Sequence, residues 1–318
     1  MNDKKYSVLV TGYPSMDHII KIDTPAKVGF TSLVNNKDNT EIYYGGCSIN
    51  IAYALCKLGL SALPTIRVGN DFEKIGFKKF LEDNNVPLAG VKEIAEDITS
   101  TTYLLEDNNG DHITIFYPGA MDEKYFSEVD DKLFDESELG VITVGPSKDN
   151  FDFATKCLDH NLPIVFGMKG DVVSFTKPFL LKVLNNSKII FTNESEKETL
   201  EEMFNLNSIT DFFETGICEV IVTTKGKSGS SYFVYENGEI KSGSVKAYDL
   251  FEKKDTTGCG DGYISGFLYG YLNNQSIADC CLYGSLVSSF VLSEEGCCSA
   301  LPTKAQLEEE FNKKKGEL

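Results

Sequence analysis

The feature that most constrains the fold of this chain is a series of short apolar runs separated by longer stretches with helical periodicity. After the glycine pair Gly45-Gly46, residues 48–58 carry apolar side chains at helical spacing, and Gly59 is placed to end that helix. Because strands that alternate with helices tend to pair in parallel, this order predicts an α/β fold. We expect a mostly parallel sheet with helices on both faces. The predicted buried strands are residues 6–10, 141–144, 163–166, 188–191 and 219–222.

Two stretches, residues 19–44 and 99–117, have a different pattern. Both alternate apolar and polar residues, and both contain turn residues such as Asp107-Asn108-Asn109-Gly110. Alternation is typical of strands that have only one covered face. We therefore predict that these stretches form a small β lid, inserted into a single α/β domain that spans residues 1–318.

The charge balance of the chain is strongly acidic, with a formal net charge of −18. Nucleic acids are bound through an excess of Lys and Arg, so a nucleic-acid partner is not expected. Arg67 is the only arginine in the sequence. A phosphate group must therefore be bound by Arg67, by lysines or by backbone amides.

The sequence predicts a cytoplasmic protein without a membrane partner. The apolar run at residues 8–10 is too short for a signal peptide, and no segment is long and apolar enough to cross a membrane. The nine cysteines are odd in number and include two adjacent pairs, so we expect free thiols rather than disulfides. No histidine joins a set of cysteines at the spacing of zinc ligands, which argues against a zinc site.

The strongest functional signal is the run Asp255-Thr256-Thr257-Gly258-Cys259-Gly260-Asp261, which leads into a predicted helix over residues 260–272. Free backbone amides at a helix N-terminus bind anions, because they lie at the positive end of the helix dipole. A carboxylate beside such a site can act as a base or hold magnesium. The alternative is that Asp261 merely favours the helix dipole. The surrounding glycines and Asp255 favour the functional interpretation.

Together with three further motifs, this run resembles the PfkB, or ribokinase-like, family of carbohydrate and nucleoside kinases. Gly45-Gly46-Cys47-Ser48-Ile49-Asn50 is similar to the amino-terminal signature of the family. Asn193-Glu194-Ser195-Glu196 fits its N-x-x-E pattern, and Thr224-Lys225-Gly226-Lys227-Ser228-Gly229 fits its T-x-G-x-x-G nucleotide loop. The order and spacing match over nearly the whole chain. The resemblance implies a ribokinase-like fold and an ATP-dependent phosphotransferase with an alcohol group as acceptor.

The resemblance also implies roles for individual residues. Asp261 would take the proton of the acceptor hydroxyl, and the amides of Gly258, Cys259 and Gly260 would stabilise the transferred phosphoryl group. Asn193 and Glu196 would organise Mg²⁺ through water, although the same pair also fits a helix capping box. The other implied assignments are Asp255 for the metal, Asn193, Thr224, Gly226 and Gly229 for ATP, and Asp17, Gly45, Gly46 and Asn50 for the substrate.

The substrate class follows from the same resemblance. Residues 115–121 and 296–302 are similar to bacterial and archaeal adenosine or nucleoside kinases of the family, and Cys47 stands where ribokinase carries lysine. We expect phosphorylation of a primary hydroxyl on a nucleoside, with Phe116 as an aromatic wall for the base. Phe116 fits the core of the lid equally well. A furanose sugar kinase is the alternative, and a catalytically silent ligand-binding relative is a third. Residues 296–302 also resemble the region that supplies carbonyls to K⁺ in relatives, with Ala300 at the position of an expected serine.

Two further expectations concern the lid and Cys259. Open strand edges tend to be paired or covered, so we expect a homodimer formed through the lid. A thiol near a helix N-terminus is expected to have a lowered pKa, which would make Cys259 sensitive to oxidation, although Asp255 and Asp261 oppose this shift. The alternative is that Cys259 only fills space.

Overall fold

Thirteen strands and ten α-helices alternate along the part of the chain that the computed structural model describes, which is residues 4–109, 112–170 and 175–317. The strands are β1 (Tyr6–Thr11), β2 (Ser15–Ile22), β3 (Tyr43–Gly45), β4 (Ala62–Gly69), β5 (Val91–Ile94), β6 (Thr101–Asp107), β7 (His112–Tyr117), β8 (Ser137–Ile142), β9 (Ile164–Gly167), β10 (Ser187–Asn193), β11 (Val220–Thr224), β12 (Ser230–Glu236) and β13 (Glu239–Val245). The helices are α1 (Cys47–Lys57), α2 (Phe77–Asp83), α3 (Asp131–Asp135), α4 (Ser147–Asp159), α5 (Lys177–Asn185), α6 (Glu194–Phe204), α7 (Phe212–Thr215), α8 (Cys259–Leu272), α9 (Ile277–Val291) and α10 (Lys304–Lys314).

Nine of these strands form one large sheet in the order β13-β12-β11-β10-β9-β8-β1-β4-β5. Neighbouring strands are parallel from β11 to β5, and β12 and β13 add an antiparallel hairpin at one edge. The carboxyl ends of the parallel strands therefore lie along a single edge of the sheet. Ligands of open α/β sheets bind at this edge.

Helices cover both faces of the large sheet, as the sequence predicted. Along β1, Val8 and Val10 pack into a core that includes side chains of α1, α8 and α9, whereas Leu9 packs into a second core with side chains of α4, α5 and α6. Strand β10 divides in the same way, with Ile189 on one face and Ile190 on the other. Each fully buried aliphatic side chain of this kind contributes about 1.5–3 kcal/mol.

The predicted strands are all present, within a few residues of their expected bounds, but four strands of the large sheet were missed. Strand β4 contains Pro64, and a proline within an apolar run argues against an internal strand. Pro64 is tolerated because pairing between β4 and β5 begins only at Ile66, opposite Val91. Strand β5 forms one edge of the sheet and the hairpin β12–β13 forms the other, and partly exposed polar residues weaken the sequence pattern there.

The lid is a separate mixed sheet of four strands in the order β3-β2-β6-β7, in which β2 and β6 are parallel and the outer pairs are antiparallel. It begins at Ser15, four residues before the predicted start. Within residues 19–44 the strands are the end of β2 and the start of β3, whereas residues 23–42 form turns and loops with one bridge between Ile22 and Val34. Several apolar side chains of these turns are exposed, so their alternation does not reflect one covered face.

Two further observations concern the cysteines and the helices. All nine cysteines are free thiols. Among the described residues, no helix combines the length and the apolar character that crossing a membrane requires.

Arg67 ties three parts of the molecule together from the buried strand β4. Its guanidinium pairs with the carboxylate of Asp149 at the start of α4, with 3.3 Å between Arg67 Nη2 and Asp149 Oδ2. The same group donates to the carbonyl oxygens of Ala120 at 2.9 Å and Met121 at 3.1 Å, where the chain leaves the lid. The side chain of Arg67 is only 4% exposed, so its charge depends on these partners. The only arginine of the chain is therefore committed to a structural contact.

We predict that Asp149→Asn lowers the free energy of unfolding by about 3–5 kcal/mol, because it leaves a buried guanidinium without a countercharge. Equilibrium urea unfolding measures this loss. Asp83→Asn is the matched control, since it removes the same charge from an exposed pair with Lys79. The control should stay within about 0.5 kcal/mol of the wild type. Equal losses in the two variants would contradict the structural role of the Arg67–Asp149 pair.

Candidate active site

The site is built where helix α8 begins. Gly258 precedes the helix in the left-handed conformation, with φ of +77°, and a Cβ at this position would lie 2.6 Å from Cys297 Cβ. Only glycine meets both conditions without strain. No side chain caps this end of α8, so its first amides are available to bind an anion. The amide of Cys259 is already turned towards the carbonyl oxygen of Thr256, at 3.3 Å.

Asp261 lies in the first turn of α8 and is only 1% exposed. Asn50 of α1 donates a hydrogen bond from Nδ2 to Asp261 Oδ2 at 2.8 Å. Lys169, two residues after β9, places Nζ 3.5 Å from Asp261 Oδ1, and that oxygen accepts no hydrogen bond from the described residues. A buried carboxylate oxygen without a donor is unusual. It is therefore a natural acceptor for the proton of a bound hydroxyl.

The charge of Asp261 stabilises the protonated form of Lys169. The nearby carboxylate raises the pKa of Lys169, and this effect exceeds the opposing effect of burial. Lys169 therefore remains a cation at neutral pH.

Three adjoining cavities surround the start of α8. The lid cavity lies between the lid sheet and the large domain and has a volume of about 340 Å³; its lining includes Ser15, Asp17, Gly46, Asn50, Thr102, Gly258 and Asp261. The sheet-edge cavity, of about 330 Å³, is lined by residues that include Lys169, Asn193, Glu196, Thr224, Gly260 and Asp261. The apolar cavity, of about 300 Å³, is lined by residues that include Gly226, Gly229, Tyr248, Cys259, Gly260, Tyr263 and Leu292.

The lining residues show how the cavities connect. Lys169 and Asp261 line both the lid cavity and the sheet-edge cavity. Gly260 and Thr224 line both the sheet-edge cavity and the apolar cavity. The three cavities therefore follow one another, and the Asp261 carboxylate stands at the junction of the first two. Their volumes fall in the range of small-molecule sites, which is about 300–1,000 Å³.

The polar end of the lid cavity is centred on Asp17, which lies on strand β2 of the lid rather than in a turn. The Ser15 hydroxyl donates to the Asp17 carboxylate and lies 2.6 Å from the hydroxyl oxygen of Thr102. Burial raises the pKa of Asp17, and these two hydroxyls partly oppose the shift. Gly45 lies beside the carboxylate, since a Cβ there would be 3.1 Å from Asp17 Oδ2. Asp17, Gly46 and Asn50 thus line one cavity, and Gly45 lies beside Asp17 and Asn50.

Phe116 does not line this cavity, so the structure does not place it beside the predicted substrate site. Its ring packs edge-on against Tyr13, with 4.9 Å between the ring centroids. The aromatic residue that lines the lid cavity is Tyr43, together with the apolar side chains of Ile19 and Leu104. The sequence pattern missed Tyr43 because it precedes the glycine pair on a strand of only three residues.

Asn193 and Glu196 form a complete capping box at the start of α6 and also line the sheet-edge cavity. The Asn193 N–H donates to Glu196 Oε2, and the Glu196 N–H donates to Asn193 Oδ1, both at 2.8 Å. The two interpretations of this motif are therefore compatible. Its side chains offer oxygen atoms at a cavity edge, the donor type that Mg²⁺ prefers when it keeps much of its water. The residues present thus fit a hydrated magnesium ion.

Asp255 lies apart from this pair. Its Oδ1 accepts the Thr257 N–H at 2.8 Å, its Oδ2 accepts the Gly296 N–H at 3.3 Å, and its side chain faces the lid cavity. The structure therefore does not bring Asp255 to the same cavity edge as Asn193 and Glu196, which the predicted set of metal ligands would require. Within the described residues there is no cluster of three or more His, Cys, Asp or Glu side chains that could hold a metal ion alone.

The nucleotide-loop residues line the apolar cavity. Strand β11 ends at Thr224, a short 3₁₀ turn covers Gly226–Ser228, and Gly229 follows with φ of +85°. Tyr248 and Leu292 also line this cavity. A cavity lined by apolar side chains and backbone groups suits a planar heteroaromatic ring.

The lowered pKa expected for the Cys259 thiol is wrong. Burial raises the pKa of Cys259 to about 12, and the charge of Asp255 acts in the same direction. The desolvation of a thiolate outweighs the field of the helix N-terminus here, so Cys259 is a poor nucleophile at neutral pH.

The structure adds site residues that the sequence analysis did not name. Ser15 and Thr102 hold Asp17, and Lys169 faces Asp261. The signal that could have found Lys169 is its place just after a parallel strand, at the edge where such sheets bind ligands. No signal within the sequence connects Ser15 with Thr102, because they meet only when β2 and β6 pair.

The chain is also similar in sequence to known kinases. Residues 6–304 match the pfkB family carbohydrate kinases. The chain is 26% identical to a nucleoside kinase of Methanocaldococcus jannaschii over 98% of its own length and 99% of the relative. It is 25% identical to a nucleoside kinase of Methanothermobacter thermautotrophicus, with 96% and 95% of the two chains covered.

Solved structures show the same fold. The M. jannaschii nucleoside kinase superimposes with a TM-score of 0.85 at 24% identity, covering 98% of this chain and all of that chain. A Burkholderia thailandensis nucleoside kinase in complex with inosine gives a TM-score of 0.83 at 19% identity, covering 98% of each chain. A ribokinase of Thermotoga maritima gives 0.81 at 18% identity, covering 97% of this chain and 99% of that one. The fold is ribokinase-like, and the chain belongs to the pfkB family of carbohydrate kinases.

Proposed function

We propose that this protein transfers the γ-phosphoryl group of ATP to a primary hydroxyl of a ribose-containing small molecule, most directly a nucleoside. The observation that carries this proposal is the position of Asp261 Oδ1. This buried oxygen accepts no hydrogen bond from the described residues and stands between the lid cavity and the sheet-edge cavity. An acceptor hydroxyl in one cavity and a phosphate in the other would meet at this carboxylate.

In this proposal, each cavity binds one part of the two substrates. The apolar cavity, bordered by Thr224, Gly226 and Gly229, would take the adenine of ATP, and its phosphates would extend into the sheet-edge cavity towards Gly260. The free amides at the start of α8 would bind the oxygens of the transferred group. Because the Cys259 amide is turned to Thr256, we assign most of this contact to the amides of Gly260 and Asp261.

The transfer itself is a displacement at phosphorus. Asp261 accepts the hydroxyl proton, the acceptor oxygen forms the new bond to phosphorus, and the bond to ADP breaks with its electron pair leaving on ADP. Asn50 holds Asp261 Oδ2, which leaves Oδ1 directed at the hydroxyl. We propose that Mg²⁺ accompanies ATP and that Asn193 and Glu196 hold it through water, without Asp255. The ion supplies positive charge to the phosphate oxygens.

The lining of the lid cavity favours a nucleoside as the acceptor. Its polar end carries Asp17 and Asn50, which can accept and donate hydrogen bonds with the hydroxyls of a ribose. Its other walls carry Ile19, Tyr43 and Leu104, which suit the apolar faces of a base. The nucleoside kinases among the relatives support this choice. A furanose sugar is the second candidate, supported by the ribokinases that share the fold.

The experiment that tests this function is a panel assay of ADP release from the purified protein. The acceptors are purine and pyrimidine nucleosides, ribose and fructose, each measured with ATP and Mg²⁺ in potassium and in sodium buffer. We expect the highest kcat/KM with a nucleoside. Preference for a free sugar would support the second candidate, and no turnover with any acceptor would support the catalytically silent alternative. A higher rate in potassium would support a K⁺ site at residues 296–302.

We predict that Asp261→Asn lowers kcat by about 10²–10⁴-fold, because the amide cannot accept the hydroxyl proton. Binding of MgATP should not weaken, since the nucleotide contacts lie elsewhere. Steady-state kinetics and isothermal titration calorimetry measure the two quantities. Turnover near the wild-type rate in this variant would show that another group is the base.

We also propose that two copies of the chain associate through the outer face of the lid. Thr102, Leu104 and Thr114 face the lid cavity, so the residues that alternate with them lie on the opposite face. Among these, Tyr103, Ile113, Ile115 and Tyr117 are all more than 40% exposed. An apolar face of this kind on a small sheet is typical of an interaction surface.

We predict that the wild-type protein has twice the chain mass of 35.2 kDa in solution, and that Ile115→Asp shifts it to the monomer. Light scattering after size-exclusion chromatography measures both masses. The matched control is Ile240→Asp, which places the same charge on an equally exposed strand position at the far edge of the large sheet. A monomeric wild type, or the same change in both variants, would rule out the lid interface.

We propose the cytoplasm as the location and small molecules, rather than nucleic acids, as the partners. The nine free thiols favour a reducing compartment. The net charge of −18 disfavours binding to a phosphate backbone.

A further inference from the structure

The residue that the proposed chemistry leaves without a role is Lys169. It follows strand β9 and faces Asp261 from the opposite side of the cavity junction. We propose that the Lys169 ammonium is a catalytic group that binds the phosphoryl oxygens while the group passes from ATP to the acceptor.

The position of Lys169 meets the geometric requirement for such a role. Lys169 and Asp261 are shared by the linings of the sheet-edge cavity and the lid cavity, so Nζ lies where a phosphoryl group would cross from one to the other. The side chain is 38% exposed, whereas the Asp261 side chain that it faces is 1% exposed. Lys169 can therefore approach a ligand in either cavity while it remains close to the carboxylate.

Other cations are not placed to serve this function. Arg67 is buried against Asp149 and backbone carbonyls, so no guanidinium is available. Lys227 and Lys253 line the apolar cavity but not the two cavities that meet at Asp261. Among the described lining residues, Lys169 is therefore the cation beside the reacting centre.

The distance to Asp261 suggests how the charge of Lys169 would be used. Before transfer, Nζ is 3.5 Å from Asp261 Oδ1, and the two charges compensate each other. When Asp261 accepts the hydroxyl proton, its negative charge is neutralised as new charge develops on the phosphoryl oxygens. Lys169 then interacts with those oxygens, donating N–H bonds without releasing a proton. An interaction that strengthens in the transition state raises kcat rather than ground-state affinity.

The first test compares Lys169→Met, which removes the charge, with Lys169→Arg, which keeps it. We expect the methionine variant to lose about 10²–10³-fold in kcat with a small change in the KM of the acceptor, and the arginine variant to recover much of that loss. Lys188→Met is the control, because Lys188 is similarly exposed and pairs with Glu219 at the opposite end of β10. Wild-type kcat in Lys169→Met would overturn the proposal.

A second test separates contact with the phosphoryl group from simple pairing with Asp261. In the Asp261→Asn background the carboxylate charge is gone, so the effect of Lys169 on nucleotide binding can be measured separately. The acceptor is left out, because this variant keeps a residual rate of transfer. We compare MgATP and MgADP by calorimetry before and after adding Lys169→Met. We expect MgATP affinity to fall by about tenfold or more, because the γ-phosphoryl group loses one charge-assisted contact, while MgADP affinity stays within about twofold.

The outcomes of this second test are distinct. Unchanged affinity for both nucleotides would mean that Lys169 only compensates Asp261, and equal losses for both would mean damage to the nucleotide site; either result overturns the proposal. The proposal rests on phosphoryl transfer and not on the identity of the acceptor. It is therefore tested with whichever acceptor the wild-type protein phosphorylates, and failure of the nucleoside assignment would be visible separately in the wild-type panel.

Discussion

The buried carboxylate of Asp261 is the constraint on which the site depends. An isolated charge that is removed from water costs several kcal/mol, so it persists only with partners. Here the partners come from separate parts of the chain: Asn50 from α1, Lys169 after β9, and the amino-terminal end of α8 itself. Satisfying this one charge therefore brings a helix on one face of the sheet together with the carboxyl end of a central strand.

In the proposed reaction, the lid and the large domain contribute different groups. Asp17 and the hydroxyls that hold it lie on the lid sheet, whereas Asp261 lies on the body. An acceptor bound as we propose therefore bridges the two parts. This arrangement explains why the second sheet has one face with polar residues and the other with exposed apolar residues. The first face lines the lid cavity, and the second carries the exposed apolar side chains on which the proposed dimer rests.

Phosphate chemistry in so acidic a chain requires a concentrated local source of positive potential. Lysines and arginines number 30 against 48 aspartates and glutamates, and the single arginine is committed to the contact between β4 and α4. The available sources are the uncapped N-terminus of α8, Lys169 and the metal ion that accompanies ATP. All three act at short range, where the overall negative charge of the protein matters least.

The sequence by itself determined the alternation of strands and helices, the glycine-rich start of α8 and the capping box at Asn193, because each depends on neighbours along the chain. Only the tertiary structure decided which side chains share a cavity. It set Phe116 against Tyr13, separated Asp255 from Glu196 and half-buried the Cys259 thiol. It also brought Lys169 to Asp261, 92 positions away in sequence, by aligning the end of β9 with the start of α8. Local patterns specify backbone conformation, whereas burial, charge pairing and pKa depend on contacts between residues that are distant in the sequence.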